Sequence, residues 1–265
     1  RAVLLGTLGY TALQALGRRA GSTAAERRAH LPGDDVVAGP QLVTDHAVTL
    51  RGSPADEWPW LTQMGWHRGG WYTPHWVDRL LFPDNWPSAD RVIPELARLS
   101  VGDFVPDGAP ETHCGFTVID LKPEHFLLLR STSHLPLRWR QRGLAGLDWT
   151  WVFSVQPVDG GTGTRFVFRW RADVHPWWMR LATHALIVPA DLVMSRDMLR
   201  GIRRRAERSA PPASGPGLPA DGGPAARGGG SGRPERASES GDDRRESARP
   251  AGPLPRGVVR GPPAP

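Results

Sequence analysis

Apolar and polar positions alternate along five stretches of the chain, and this period of two predicts β-strands with one buried face. The first stretch is 42–51, and the others are 114–121, 125–130, 148–156 and 164–172. In the last stretch Phe166, Phe168 and Trp170 share one face, while arginines occupy most of the other. The glycine-rich run 159–163 predicts a hairpin turn. Together these features predict an antiparallel sheet with one side partly open to solvent.

Helical signals lie before and after the strand-rich part. Ser53, followed by Pro54 and by Asp56 at the third helical position, is a capping box that predicts a short helix ending before Gly65. Thr73 and Pro74 predict a second short helix over 75–82, and 89–99 reads as irregular or weakly helical. The period of a helix returns over 176–207, with an apolar stripe along 191–205. Pro189 is expected to kink or restart this long C-terminal helix.

This order of elements predicts an α+β protein, an antiparallel sheet with helices segregated to its face and ends. All 12 tryptophans lie between Trp58 and Trp178, which marks the packed body. We therefore predict a domain over 42–207, preceded by a linker over 21–41. Residues 208–265 are rich in Pro, Gly and Arg and contain no aromatic residue, so we predict a disordered tail there.

The N-terminal stretch Ala2–Leu16 carries no charge and is followed by Arg18 and Arg19. As a helix it would reach about 22 Å, short of a hydrocarbon core of roughly 30 Å. Three alternatives stay open for residues 1–20: the end of a clipped membrane helix, an interfacial helix, or a helix packed on the body. As an anchor it would place the body in the cytoplasm, at the inner face of the membrane, because arginines follow it. The single cysteine agrees with that compartment.

Composition excludes several classes of function. The net charge is +6, but the arginines are spread along the chain rather than clustered, so we predict no nucleic-acid partner. One cysteine allows no internal disulfide, and no Cys/His spacing resembles a metal site. No phosphate-binding loop or G-x-S-x-G motif is present, so we predict neither metal nor cofactor.

Several segments resemble bacterial SRPBCC proteins, the START-like superfamily of polyketide cyclases/dehydrases and lipid-transport proteins. The resemblance covers roughly 21–207 and depends on the runs PGDD, EWPWLTQMG, GGWYTPHWVDRL, PSADRVIPEL, VGD and DLVMSRDMLRGIRRRAE. It implies a helix-grip fold, in which a curved antiparallel sheet wraps around a long C-terminal helix and encloses an apolar cavity. It also implies an N-terminal membrane helix, which several relatives carry; the tail has no counterpart in the family pattern.

A cavity of this kind implies candidate ligand contacts on the final helix and on the segment after the first short helix. Met194 and Met198 suit an irregular apolar wall, although methionines at helical spacing also fill solid cores. Trp71, Tyr72 and Trp76 are expected at the cavity mouth, with packing against the sheet as the alternative, which we prefer for the tryptophans. Tyr72 and His75 are candidates for proton transfer.

A second cluster combines Asp90 and Glu95 with Arg91 between them. The two carboxylates are further candidate catalytic groups, and Arg91 could hold a ligand carboxylate, although a structural ion pair is the favoured role. No convincing catalytic constellation emerges, so we expect binding, with possible transfer, of a hydrophobic small molecule or lipid. A cyclase or dehydratase acting on an aromatic or polyketide substrate is the first alternative. A membrane-tethered interaction module without ligand is the second.

Overall fold

The computed structural model describes residues 2–81 and 83–209. The predicted tail lies outside these residues apart from positions 208 and 209, which belong to the last helix. The strands are β1 (Leu42–Arg51), β2 (Phe104–Pro106), β3 (Gly115–Lys122), β4 (Phe126–Ser131), β5 (Gly146–Val158) and β6 (Gly163–His175). The helices are α1 (Ala2–Arg19), α2 (Ala24–Arg28), α3 (Pro54–Thr62), α4 (His75–Leu81), α5 (Leu137–Gln141), α6 (Trp177–Ala182) and α7 (Val188–Ser209).

The six strands form one antiparallel sheet in the order β1-β6-β5-β4-β3-β2. All five predicted strands are present, and the predicted hairpin joins β5 to β6 around Gly160 and Gly161, which both have positive φ. The two long strands are in register over their whole length, from Gly146 opposite His175 to Val158 opposite Gly163. The α+β class predicted from the order of elements is therefore confirmed.

Local signals set the short helices that follow β1. Ser53 caps α3, and its hydroxyl accepts from the Asp56 amide while the Asp56 carboxylate accepts from the Ser53 amide. The predicted second helix is present as α4. Three short elements lie outside the predictions, namely α2, β2 and α5. Of these, α2 begins with a capping box formed by Thr23 and Glu26, a local signal that could have found it. The elements β2 and α5 are three and five residues long and have no comparable local signal, so packing rather than local propensity decides them.

The C-terminal helix is continuous from α6 into α7 through one π-helical turn, Thr183–Ile187. In this turn the Val188 amide donates to the Thr183 carbonyl, five residues back. The next donor in that register would be Pro189, which has no N–H, so the His184 carbonyl loses its helical partner. The chain thus accommodates Pro189 by a π turn rather than by the predicted kink or restart.

The N-terminal helix supplies the missing donors. Tyr10 Oη donates to the His184 carbonyl at 3.1 Å, and Gln14 Nε2 donates to the same oxygen at 2.6 Å. The Arg18 guanidinium lies 2.8 Å from His184 Nδ1. The described side chains of α1 therefore agree with the third of the alternatives for this segment, a helix packed on the body. Among the described residues, no helix is both long and apolar enough to cross a bilayer.

The segment predicted as a linker is bonded to the outer face of the sheet through Arg169. Its guanidinium, 3% exposed, donates to the carboxylates of Asp34 and Asp45 at 2.7 and 2.6 Å. It also donates to the carbonyls of Ala29, Glu26 and Arg27, so that all five N–H groups have acceptors. Arg169 thus fixes residues 24–34 against β6.

The inner face of the sheet packs against α7. Ser195, Leu199 and Ile202 are buried on the predicted helical stripe, with Met198 beside them. Met198, Leu199 and Ile202 join the core formed by three phenylalanines of β5 and β6. These are Phe153, Phe166 and Phe168. The predicted alternation in β6 holds, because Val167 and Arg169 lie on the opposite face in contact with the 24–34 segment. The side chains leave a cavity between this sheet face and the first half of α7.

Candidate functional site: an apolar cavity between the sheet and α7

A cavity of about 170 Å³ lies between the first half of α7 and the inner face of the sheet. Four parts of the chain surround it: α7 with the turn before it, strand β5, the loop that follows α3 and the loop that follows β2. The lining residues are Trp71, Thr73, Asp107, Trp149, Trp151, Ile187, Ala190, Asp191, Met194, Ser195 and Met198. Most of the contact surface is apolar, and the cavity is partly open at the Ile187 end, where that side chain is 52% exposed.

Three stacked indoles form one wall. Trp149 and Trp151 are two residues apart on β5, so both lie on its inner face. Their rings stack with centroids 5.8 Å apart. Trp71, from the loop after α3, stacks on Trp151 with centroids 5.6 Å apart and meets Phe116 edge to face. This wall is rigid because each ring is held by another. Aromatic faces of this kind suit a planar apolar ligand.

A carboxylate from α7 lies at the opposite wall. Asp191 accepts a hydrogen bond from Ser195 Oγ at 2.9 Å and one from Trp170 Nε1 at 3.1 Å. The fully buried His46, from β1, stacks on Phe168 and places Nε2 at 3.2 Å from the Asp191 carboxylate. Asp191 and Ser195 are one helical turn apart, so both reach the cavity from the same face of α7.

A second acid and imidazole pair lies at the β2 side. Asp107 lines the cavity, and its carboxylate lies 2.9 Å from His134 Nε2. His134 Nδ1 is 2.7 Å from Ser131 Oγ, which fixes the orientation of the ring. The cavity therefore combines apolar walls with two carboxylates, each backed by a histidine. Such an arrangement can orient a polar group of a ligand or exchange a proton with it.

Three of the residues predicted to contact a ligand line this cavity: Trp71, Met194 and Met198. Trp71 also packs on the sheet, as the alternative interpretation held. Tyr72 is fully buried behind the wall, where its hydroxyl donates to the Trp60 carbonyl at 2.6 Å. Burial raises the pKa of Tyr72 far above its ordinary value, and the Arg205 guanidinium lies 5.1 Å from its ring. Tyr72 therefore stays protonated and does not line the cavity.

The remaining candidates lie outside the cavity. His75 and Trp76 are exposed at the start of α4, Trp76 by 63%. Asp90 is exposed and pairs with Arg205 and Arg208 of α7, both at 3.2 Å. Arg91 and Glu95 are exposed on the irregular segment, and only the Arg91 carbonyl is tied inward, by Gln63. The structure thus separates these five candidates from Trp71, Met194 and Met198.

Sequence reasoning missed most polar groups of the cavity. The period-two pattern of β5 places Trp149 and Trp151 on the apolar face, a signal that could have found them. Asp107 and Asp191 have no such signal, because their histidine partners are far away in the sequence. Within residues 2–81 and 83–209 there is no cluster of three or more His, Cys, Asp or Glu side chains suited to a metal ion.

Neither a protein-family model nor a curated protein matches this chain. Solved structures that resemble it include a conserved protein of Geobacillus kaustophilus, at 15% identity and a TM-score of 0.36, covering 63% of this chain and 97% of that one. A hypothetical protein of Helicobacter pylori has 12% identity and a TM-score of 0.39 over 67% and 95% of the two chains. A Rhodobacter sphaeroides protein has 15% identity and a TM-score of 0.39 over 64% and 95%. Likenesses this distant define neither the fold family nor the function.

Proposed function

We propose that this protein is a helix-grip protein of the SRPBCC type that binds a small hydrophobic molecule between α7 and the sheet. The observation that carries the proposal is the apolar cavity walled by Trp71, Trp149 and Trp151. A binding role needs only shape and apolar area, which these walls provide. The sequence motifs that resemble the family support the same conclusion.

The volume favours a small ligand over a whole lipid. An engineered apolar cavity of about 150 Å³ binds benzene, whereas pockets for drug-sized ligands measure about 300–1,000 Å³. At about 170 Å³ this cavity suits a molecule of one or two rings, or a short chain. The indole wall favours a planar ring over a chain.

Thermal unfolding in the presence of one-ring and two-ring aromatic compounds tests the proposal. A ligand at a hundred times its Kd stabilises the folded state by about 2.7 kcal/mol, which raises the Tm by about 5 °C or more. Ala190 belongs to the cavity lining and is exposed at its rim, so Ala190→Trp is expected to close the entrance with a bulky ring and to abolish this shift. The matched control is Val193→Trp on the same helix, because Val193 is 49% exposed and does not line the cavity.

The outcome is decided by comparing the three proteins. The proposal holds if the unmodified chain and Val193→Trp show the shift and Ala190→Trp does not. It fails if no compound raises the Tm of the unmodified chain. It also fails if Ala190→Trp responds as strongly as the control, since binding would then occur elsewhere.

A cyclase or dehydratase is the second candidate, and Asp107 and Asp191 favour it. Both carboxylates line the cavity, whereas the predicted candidates Tyr72, His75, Asp90 and Glu95 do not. A dehydratase would remove one water from a bound ligand. Mass spectrometry of the released ligand detects that loss, and Asp107→Asn or Asp191→Asn is expected to prevent it.

An interaction module without ligand has less support, because it predicts a solid core where the structure has a cavity. A cytoplasmic location at the inner face of a membrane stays a prediction from the N-terminal arginines and the single cysteine.

A further inference from the structure

Two adjacent helical elements expose an unusual amount of apolar surface. On α1 the exposed side chains include Leu8 and Leu16, and the turns from α6 to α7 expose Trp177, Leu181, Leu186 and Ile187. These six side chains are termed the apolar surface. Trp177 is 69% exposed, Leu186 68% and Leu16 63%. Single exposed apolar residues are ordinary, whereas a group on neighbouring elements marks an interaction site.

The two elements are neighbours because α1 is bonded to the π turn. Gln14 and Tyr10 of α1 donate to the carbonyl of His184, two residues before Leu186. Gly17 allows a close approach, since a Cβ at that position would lie 3.0 Å from the Val188 side chain. The side chains of α1 and of the π turn therefore belong to one end of the molecule.

The charged side chains on the segments that form this end are all basic, while the acids that follow two of these segments, Asp148 and Asp191, are hydrogen-bonded to Arg130 and to Ser195 with Trp170. Neither α1, nor residues 137–147, nor residues 177–190 contain an Asp or Glu. Arg18 and Arg19 close α1, and Arg180 lies on α6. Helix α5 adjoins them through Trp139, whose ring meets Trp178 edge to face at 5.5 Å, and it adds exposed Arg138. Tryptophan and leucine beside arginine, without acids, complement the hydrocarbon and the headgroups of an anionic lipid surface.

We infer that the apolar surface, formed by α1 together with the start of the C-terminal helix, docks on an anionic membrane surface. The helices would lie in the plane of the interface, with their apolar side chains below the headgroups and the arginines among them. In the sequence, the N-terminal segment is the main candidate for membrane contact. In the structure that segment contributes one part, and the larger part comes from Trp177, Leu181 and Leu186. This inference does not depend on a ligand in the cavity.

The docked orientation would bring the mouth of the cavity to the membrane. Ile187 belongs both to the apolar surface and to the cavity lining. A hydrophobic molecule dissolved in the bilayer would then reach the indole wall without crossing bulk water, where its solubility is low.

Vesicle flotation with the full 265-residue chain tests the inference. The probes are vesicles of phosphatidylcholine alone and of phosphatidylcholine mixed with phosphatidylglycerol. We expect the chain to float with the anionic vesicles and to bind them less at high salt, because surface charges are screened. The triple variant Trp177→Ser, Leu181→Ser, Leu186→Ser is expected to lose at least about ten-fold in partition.

A matched control removes equally exposed apolar residues elsewhere, by Leu80→Ser, Trp86→Ser and Val101→Ser, which are 71, 50 and 62% exposed. This control is expected to float like the unmodified chain. A charge variant, Arg138→Glu with Arg142→Glu and Arg180→Glu, changes three exposed arginines, of which Arg142 directly follows α5. This variant is expected to lose the preference for anionic vesicles. All the changed residues are partly or mostly exposed to solvent, so the thermal unfolding midpoints should stay close to that of the unmodified chain.

Three results would overturn the inference. One is the absence of flotation with either kind of vesicle. Another is an equal loss of binding in the control variant, which would place the contact elsewhere. The third is a dimer of the unmodified chain, seen by light scattering, that the Trp177, Leu181 and Leu186 variant makes monomeric while vesicle binding is unchanged; the surface would then bind a second copy.

Discussion

The carboxyl group of Glu57 lies inside the protein in the first half of α3, and the residue is only 1% exposed. Its Oε2 atom has no hydrogen-bond partner among the described residues. Burial, with a smaller contribution from the neighbouring Asp56 charge, raises the pKa of Glu57 to about 8. In the unfolded chain the same group titrates near its ordinary value of 4.5. The folded state therefore binds more protons than the unfolded state between these two pH values.

Glu57→Gln tests the consequence for stability. Because the folded pKa is raised, the free energy of unfolding of the unmodified chain falls as the pH rises from about 4.5 to about 8. The variant cannot ionise, so we expect it to be more stable above pH 8 by roughly 2–5 kcal/mol and equally stable near pH 4.5. Chemical denaturation at the two pH values measures the difference.

Glu95→Gln is the control for this measurement, because Glu95 is exposed and its loss should leave the pH dependence unchanged. If Glu57→Gln changes the free energy of unfolding by the same amount at both pH values, the pKa of Glu57 is not raised in the folded state, which contradicts the prediction. The burial of Glu57 could not be predicted from the sequence, because an acid in the first turn of a capped helix is ordinarily solvated.

At the scale of elements, the position of α7 depends on one glycine. A Cβ built on Gly201 would lie 1.8 Å from the carbonyl oxygen of Tyr72, far inside van der Waals contact. Tyr72 itself has a positive φ of 59°, and its amide is held by Ser88 Oγ at 3.0 Å. Neither the helix nor the loop can easily give way. Gly201 therefore permits the close packing of α7 on the loop that carries Trp71.

Gly201→Ala is expected to destabilise the protein by roughly 2 kcal/mol or more, because overpacking forces backbone shifts. Helix propensity alone predicts the opposite sign, a gain of up to about 1 kcal/mol. Gly9→Ala in α1 is the matched control, since a Cβ there meets nothing within 4 Å. Chemical denaturation of both variants measures the effect. A stabilised Gly201→Ala variant would contradict the close contact between α7 and the loop.

Most elements with strong local signals are those that the sequence predicts; the exception is α2, which begins with the capping box of Thr23 and Glu26 but lies in the segment predicted as a linker. The capping box of Ser53 starts α3, and period-two alternation predicts β1 with both of its boundaries. The short strand β2 forms because the longer β3 offers it a ladder, which no local pattern reveals. The π turn before Pro189 depends on donors from α1, about 170 residues earlier in the chain. Its form is therefore decided by tertiary packing.

The candidate site shows the same division between local and distant signals. Trp71, Met194 and Met198 could be predicted because the family resemblance implies a cavity, and the apolar helix face and the aromatic-rich loop supply residues to line it. His46 and Asp191 could not, since their pairing needs β1 beside the start of α7. Asp90 and Glu95 attract attention as charges in one run, yet the fold leaves both facing solvent.

At the scale of the whole molecule, the two faces of the sheet have different roles. The outer face is partly covered by residues 24–34, fixed through the five hydrogen-bonded N–H groups of Arg169. The inner face packs solidly against the second half of α7 and leaves a cavity at the first half. The same half of α7 begins beside the apolar surface. Ligand binding and membrane contact are therefore proposed at one end of the molecule.

Native mass spectrometry of the full chain, purified from cells of its own organism, tests the central claim most directly. We predict a non-covalent adduct of one small apolar molecule, released on denaturation, on the unmodified chain and on Val193→Trp. The Ala190→Trp variant, prepared in the same way, is predicted to show the bare protein mass. A bare mass for the unmodified chain, or an adduct retained by Ala190→Trp, would contradict a ligand held between α7 and the indole wall.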